Sequence, residues 1–163
     1  MAKKKKKIDA AHREPTIENR RARHEYAIEE TLEVGIALVG TEVKAVRAGQ
    51  VSLNEGFILA TAEPKAALTL HQVSIGEYAP AGGHQHKLDR ARLLLAHKRE
   101  IAKMARQLDQ KGVTIVPLKL YFKDGRAKLL IGIGTGRAEH DKRRAIADRE
   151  HKRELRRLMS KRY

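Results

Sequence analysis

The strongest constraint on the fold is a period-two pattern that begins at Tyr26. Apolar residues recur at every second position with one interruption at Glu30, and polar residues fill the alternate positions. The apolar set is Tyr26, Ile28, Leu32, Val34, Ile36 and Leu38, and the polar set is Glu25, Glu29, Thr31 and Glu33. Alternation of this length is typical of a strand with one buried face. It predicts one long strand, or two strands broken near Gly35.

The rest of the chain adds shorter strands and two helices. We expect a short helix over residues 41–48 and strands over 57–61 and 67–75, followed by a loop over 78–90. A basic helix is predicted from about Arg92 towards a cap at Gly112. Asp124-Gly125 is a two-residue hairpin signal between β-rich segments. The order β-β-α-β-β-α-β-β favours a mainly antiparallel, closed or partly closed β-barrel.

Positive charge is concentrated at the two ends of the chain. The 163 residues carry a formal net charge of +15. Residues 1–23 hold nine Lys and Arg against three acids, and residues 137–163 hold eleven against five, so only +3 remains for the body. Clustered cations suit segments that lie along phosphates, so an RNA-like polyanion is the expected partner.

These boundaries suggest three parts. Residues 1–16 form a disordered basic arm, residues 17–136 an RNA-binding body, and residues 137–163 a basic tail. Leu155, Leu158 and Met159 share a face at helical spacing. Few apolar residues precede them, so we expect the tail to be disordered when free and helical when a partner holds it.

Several function classes are disfavoured by the sequence. The chain has no Cys, which excludes disulfides and thiolate zinc sites. The Lys run at residues 3–7 is not followed by an apolar segment, and no run reaches membrane-span length, so a cytoplasmic location without a membrane partner is expected. His84 and His86 lack a third ligand at convincing spacing. No catalytic motif is recognisable, so neither an enzyme nor a cofactor is expected.

Four features have open interpretations. The cluster Asn19–His24 is either a solvated linker or a phosphate-binding group fixed to a strand. Glu33 is either an ordinary exposed strand residue or an acceptor for base amino groups. Three consecutive leucines at residues 93–95 cannot all face the core of one helix, so either at least one is exposed or covered by a partner, or the start of the helix is packed on two sides. The glycines of Gly132-Ile-Gly134-Thr-Gly136 fit a flexible joint better than a dinucleotide fingerprint.

Seven blocks occur in an order and spacing that resemble one family. They are Asn19-Arg-Arg-Ala-Arg-His24-Glu-Tyr26, Ile28-Glu-Glu, Glu33-Val-Gly35-Ile, Gly40-Thr-Glu-Val-Lys44, Arg92-Leu-Leu-Leu-Ala-His-Lys-Arg-Glu100, Val116-Pro-Leu-Lys-Leu-Tyr-Phe122, and Ile131-Gly132 leading to His140-Asp-Lys-Arg143. From about residue 17 to about 159, the chain resembles the SsrA-binding protein family, also called small protein B.

The resemblance implies an OB-fold-like antiparallel barrel with two to three helices, acting as a monomer and not as an enzyme. Such a protein binds the tRNA-like domain of tmRNA (SsrA) and delivers it to stalled ribosomes for trans-translation, a form of ribosome rescue. Its C-terminal tail probes the empty mRNA channel and the decoding centre of the small-subunit rRNA.

Site residues follow from the resemblance by motif match. The tmRNA-binding set is Asn19, Arg21, Arg23, His24, Tyr26, Glu33, Leu94 and Lys128. The ribosome-binding tail set is His140, Asp141, Lys142, Arg143, Leu158 and Met159, and the hinge is Gly132 and Gly136. His151 stands where the family often has an aromatic residue, usually Trp. Two other hypotheses are a ribosomal or initiation-type OB protein and an RNA-processing enzyme that uses His84 or His86.

Overall fold

The computed structural model of the chain describes residues 14–138 and six positions further on. Those six positions are helical and exposed, and they are Ile146, Glu150, His151, Glu154, Arg157 and Met159. The basic arm predicted for residues 1–16 lies almost wholly outside the described residues, as do the tail residues His140, Asp141, Lys142, Arg143 and Leu158. Among the described residues, no helix is long and apolar enough to cross a membrane.

Residues 14–138 contain three α-helices and nine strands. The elements are β1 (Ile17–Glu18), α1 (Arg20–Glu25), β2 (Tyr26–Ile36), α2 (Gly40–Arg47), β3 (Val51–Ser52), β4 (Phe57–Thr61), β5 (Ala67–His71), β6 (Ser74–Ile75), β7 (Arg92–Leu95), α3 (Lys98–Leu108), β8 (Val113–Lys123) and β9 (Arg126–Gly136).

The strands close into an antiparallel ring, as the sequence predicts. The order is β8-β4-β5-β7-β2-β9, and β9 pairs again with β8, while β1 adds to the outer edge of β8. The β8–β9 hairpin turns at Asp124 and Gly125, both with positive φ, which is the backbone that a two-residue hairpin requires. The interior is aliphatic, and α3 contributes Ile101 and Met104 to it.

A β-bulge divides the long strand β2 into two parts. The register with β9 shifts between Ile28 and Glu30, so the faces of the strand exchange there. After the bulge, Leu32, Val34 and Ile36 face the barrel core. Before it, Tyr26 and Ile28 pack on the outside in a second cluster, with Ala22, Val116, Leu118 and Leu130. The alternating segment therefore forms one strand, but its apolar side chains pack in two clusters instead of one.

The helix predicted from Arg92 is wrong over its first residues. Residues 92–95 form β7, which pairs with β5 and β2, and α3 begins only at Lys98. The triplet alternates: Leu94 is 2% exposed, whereas Leu93 and Leu95 are 48% and 57% exposed. Pairing with a strand on each side makes this segment a strand, and this pairing outweighs the helical propensity of leucine.

Glu42 and two arginines form a buried ion cluster that the sequence reading missed. The side chains of Glu42 and Arg92 are 0% exposed, and Arg92 Nε lies 2.9 Å from Glu42 Oε1. Arg90 donates to both carboxylate oxygens, at 2.7 and 2.6 Å. Burial alone would raise the pKa of Glu42, but the bonds from Arg90 and the Val39 N–H, with the charge of Arg92, lower it.

Gly132 is not placed as a hinge. It lies inside β9 with a partner on each side, and a Cβ there would lie 2.8 Å from Leu118 Cδ1 and 3.1 Å from Ile28 Cγ2. Gly132 is therefore a packing residue beneath the outer cluster, which corrects its assignment to the joint. Gly136 is the last residue of β9 and has open space around it, so it keeps the position expected of a joint.

Candidate nucleic-acid interface

The outer face of the strands β2, β9 and β8 gathers the polar residues singled out in the sequence. Lys128 lies opposite Gly35 on one neighbour and Tyr121 on the other. Glu33 lies two residues from Gly35, so it shares this face. Leu130, which is opposite Glu33, packs in the outer apolar cluster and so links the Glu33 end of the face to α1.

Glu33 is held by one hydroxyl and two ammonium groups. The Tyr121 hydroxyl donates to Glu33 Oε2. Lys123 Nζ and Lys128 Nζ lie 3.5 and 3.8 Å from Glu33 Oε1. The hydrogen bond from Tyr121, followed by the positive charges of Lys123 and Lys128, lowers the pKa of Glu33. The carboxylate is therefore ionised and oriented at neutral pH.

Tyr121 remains a donor throughout the physiological range. Its partial burial, and then its bond to the Glu33 carboxylate, raise the pKa of Tyr121 to about 12. Lys119 Nζ lies 5.7 Å from the centroid of the Tyr121 ring, which places a third cation at this site. The arrangement offers cations to phosphates and one fixed acceptor to base amino groups.

Helix α1 begins at a cap made by Asn19. The Asn19 Oδ1 accepts from the Ala22 N–H at 2.9 Å, and its Nδ2 donates to the carbonyls of Leu53 and Pro117 at 2.8 and 3.0 Å. Asn19 is only 1% exposed, which contradicts its assignment to the RNA-contacting surface. Its side chain instead fixes α1 on the outer face.

The cationic side chains of α1 lie in two different environments. Arg21 Nε donates to Glu25 at 2.7 Å and its Nη1 donates to Glu55, and the bond to Glu25 is the main reason why the pKa of Arg21 is raised. Arg23 makes no ion pair with any residue that the structure describes. It borders an open depression together with Tyr26, Thr31 and Arg137. Arg23 is thus available to a phosphate, whereas Arg21 must first release two carboxylates.

Comparison with known proteins identifies the family. The family model described as SmpB protein matches residues 16–161. The chain belongs to the SmpB family. It is 46% identical to the SsrA-binding protein of Thermobifida fusca (strain YX) over 163 residues, 99% of each chain. It is also 46% identical to the SsrA-binding protein of Lactobacillus helveticus (strain DPC 4571) over 140 residues, 86% of this chain and 90% of the relative.

A solved structure supports the same assignment. The chain matches one described as "tmRNA-SmpB: a journey to the center of the bacterial ribosome" with a TM-score of 0.64 and 41% identity. The match covers 81% of this chain and 94% of the other. The OB-fold-like barrel implied by the SmpB resemblance is therefore confirmed.

Within this SmpB-family chain, four of the eight predicted residues lie on the outer face or at its border. Tyr26 packs in the outer apolar cluster and Arg23 borders the depression beside it, while Glu33 and Lys128 pair across β2 and β9. Arg21 and His24 belong to α1, where Arg21 is paired with Glu25 and Glu55. Leu94 does not belong to the set because it is buried in the barrel core. Its neighbours Leu93 and Leu95 are the leucines that a partner can reach.

Three residues of the face were missed in the sequence: Lys119, Tyr121 and Lys123. The two-residue turn at Asp124-Gly125 sets the hairpin register and places Tyr121 opposite Lys128. The register was therefore a usable signal, since residues opposite each other in a hairpin share a face.

The histidine site considered for an RNA-processing enzyme is built differently. His86 Nδ1 lies 2.9 Å from Thr41 Oγ1, and His86 Nε2 lies 3.1 Å from the Ile75 carbonyl. Both ring nitrogens are thus engaged in holding the loop that His86 belongs to. In the part of the chain that the structure describes, no group of three or more His, Asp or Glu side chains could hold a metal.

Proposed function

We propose that this chain binds tmRNA through the outer face of β2, β9 and β8 and delivers it to stalled ribosomes for trans-translation. Membership of the SmpB family supports this function, because the relatives described above are SsrA-binding proteins and the matching solved chain is described with tmRNA and the ribosome. It is also the first of the three hypotheses drawn from the sequence. No catalytic step is included in it.

The observation that carries the proposal is Glu33 held ionised among lysines. A carboxylate on a surface that attracts phosphates weakens non-specific binding, so it is useful where it reads a base. Tyr121 and Lys128 keep that carboxylate in one orientation. The cations around it, with Arg23 on α1, supply the contacts to the backbone of the RNA.

We assign the second part of the function to the tail. His140, Asp141, Lys142 and Arg143 contact the decoding region, and Leu158 and Met159 bind in the empty mRNA channel as a helix. Met159 is helical and 70% exposed, so its side chain is open to an apolar contact. Gly136 is the joint between body and tail. The protein acts as a monomer in the cytoplasm.

Binding of fluorescently labelled tmRNA, followed by anisotropy, tests the first part. Glu33→Gln removes the charge but keeps the shape, and it should weaken binding by about tenfold or more, as expected for a lost base contact. Glu29→Gln is the matched control, because Glu29 is exposed on the same strand. Equal affinities for the wild type and Glu33→Gln would remove Glu33 from the interface.

The partner itself is tested by sequencing the RNA that co-purifies with the wild-type chain at moderate salt. tmRNA should be strongly enriched over ribosomal RNA. Intact ribosomal subunits without tmRNA would instead favour a constitutive ribosomal protein, and the proposed function would be wrong.

A further inference from the structure

Glu55 lies on a short turn that is fixed to the start of α1. The turn joins β3 to β4, and the Leu53 carbonyl within it accepts from the Gly56 N–H at 3.1 Å and from Asn19 Nδ2 at 2.8 Å. A Cβ at Gly56 would lie 2.6 Å from Val73 Cγ2, so the turn packs directly on the barrel. The fold therefore sets the position of the Glu55 backbone relative to α1.

Arg21 on α1 is held between two carboxylates, and the three side chains form what we call the Arg21 cluster. Arg21 Nε lies 2.7 Å from Glu25 Oε1, one helical turn further along, and Arg21 Nη1 lies 2.5 Å from Glu55 Oε1. The Arg21 and Glu55 side chains are 52% and 68% exposed, so an RNA can reach the cluster. One positive and two negative charges give it a net charge of −1.

The stability of the fold does not account for the contact between Glu55 and Arg21. Exposed ion pairs contribute little to the free energy of unfolding, because solvent screens them and ordering two long side chains costs entropy. Arg23 follows on the same helix, borders an open depression and has no ion-pair partner among the described residues. Helix α1 therefore offers one cation to a phosphate and withholds another.

We propose that Glu55 is a specificity-determining residue, which excludes RNAs other than tmRNA from α1. Binding of RNA without sequence preference depends on how many phosphates the lysines and arginines neutralise. Glu55 masks Arg21, so it removes one such contact and places negative charge where a misplaced backbone would lie. tmRNA is held by Glu33, Lys128 and Arg23, and it leaves the Arg21 cluster intact. This inference rests on the proposed function and names a residue that sharpens its selectivity.

Two glutamine variants of the full chain give a matched test. Glu55→Gln and Glu63→Gln each remove one negative charge, but Glu63 is exposed in the β4–β5 connection, away from α1 in sequence. Anisotropy compares labelled tmRNA with an unrelated structured RNA of the same length. At about 0.1 M salt, Glu55→Gln should bind the unrelated RNA at least about threefold more tightly than the wild type, and tmRNA within twofold. Glu63→Gln should match the wild type for both RNAs.

The salt dependence and a double variant identify the cation involved. For the unrelated RNA, Glu55→Gln should steepen the slope of log K against log salt by up to about 0.9, the value for one neutralised phosphate. Arg21→Gln combined with Glu55→Gln should lose both this change and the gain in affinity, because the masked cation is absent. Thermal unfolding of the variants should stay close to that of the wild type, since only exposed ion pairs are removed.

Four results would overturn the inference while leaving the proposed function standing. They are a smaller gain of Glu55→Gln for the unrelated RNA, an equal gain in Glu63→Gln, an equal gain for tmRNA, and a gain that persists in the double variant without Arg21. If the wild-type chain binds tmRNA no better than the unrelated RNA, the proposed function fails as well.

Discussion

Replacing Glu42 by Gln should strongly destabilise the barrel, because it breaks a buried ion pair. Glu42 accepts four hydrogen bonds in the structure: two from Arg90, one from Arg92 and one from the Val39 N–H. A glutamine would present an NH₂ donor to these donors. It would also leave Arg92, which is 0% exposed, without a compensating charge.

The size of the effect follows from burial. Removing one partner of a buried ion pair typically costs about 3–5 kcal/mol. Arg92 keeps its bonds to the carbonyls of Val73, Leu88 and Arg90, at 2.7, 2.9 and 3.0 Å, so we expect the lower end of that range. For a domain of this size, about 3 kcal/mol corresponds to a fall in Tm of roughly 6–12 °C.

Urea unfolding followed by circular dichroism measures this loss, with Glu63→Gln as the control because Glu63 is exposed in the β4–β5 connection.

The pKa shift of Glu42 also determines how the free energy of unfolding changes with pH. The pKa of Glu42 is lower in the folded state than its ordinary value of 4.5, so its contribution is present above pH 4.5 and is lost as the pH falls through the folded pKa. The stabilities of wild type and Glu42→Gln should converge in acid. A loss below about 1 kcal/mol at pH 7 would refute the reasoning, because it is smaller than a broken buried pair allows.

Three further outcomes are expected. Tyr121→Phe should raise the pKa of Glu33 towards its ordinary value, measured by carboxyl NMR titration, and weaken tmRNA binding several-fold; an unchanged pKa would show that the hydroxyl does not orient the carboxylate. Gly132→Ala should destabilise the barrel by about 1–3 kcal/mol in urea unfolding through overpacking against the outer cluster, and a neutral effect would contradict the packing assigned to it. His140→Ala and Gly136→Pro should each leave tmRNA affinity unchanged and abolish peptide tagging in a stalled-translation assay, whereas an equal loss of affinity would refute the division between body and tail.

The fold was largely predictable because local sequence patterns identify most of its strands. Alternation in β2 and the Asp124-Gly125 turn each depend on neighbouring residues, and both predictions are confirmed. The error at residues 92–95 has a different origin. A short run of leucines suits a helix or a strand equally well, and only pairing with β5 and β2, which are distant in sequence, decides between them.

The sequence predicts which residues belong to the site region better than it predicts which of them are exposed at its surface. Resemblance selected Asn19 and Leu94, but motifs do not distinguish a residue that contacts a partner from one that positions its neighbours. Asn19 caps α1, and Leu94 fills the core between two exposed leucines. Tyr121 was missed for the opposite reason: its role comes from Glu33, which is 88 residues away in sequence.

The buried ion cluster and the outward leucines of β7 are linked by strand register. A slip of one residue would move every side chain of β7 to the other face, exposing Leu94 and burying Leu95. Hydrophobicity alone hardly opposes such a slip, since the exchanged residues are all leucines. Arg92 opposes it, because its guanidinium is buried only where Glu42 and three carbonyls accept its donors. The ion cluster therefore specifies which leucines of β7 face outward, so a polar interaction inside the barrel determines which apolar side chains are exposed on its surface.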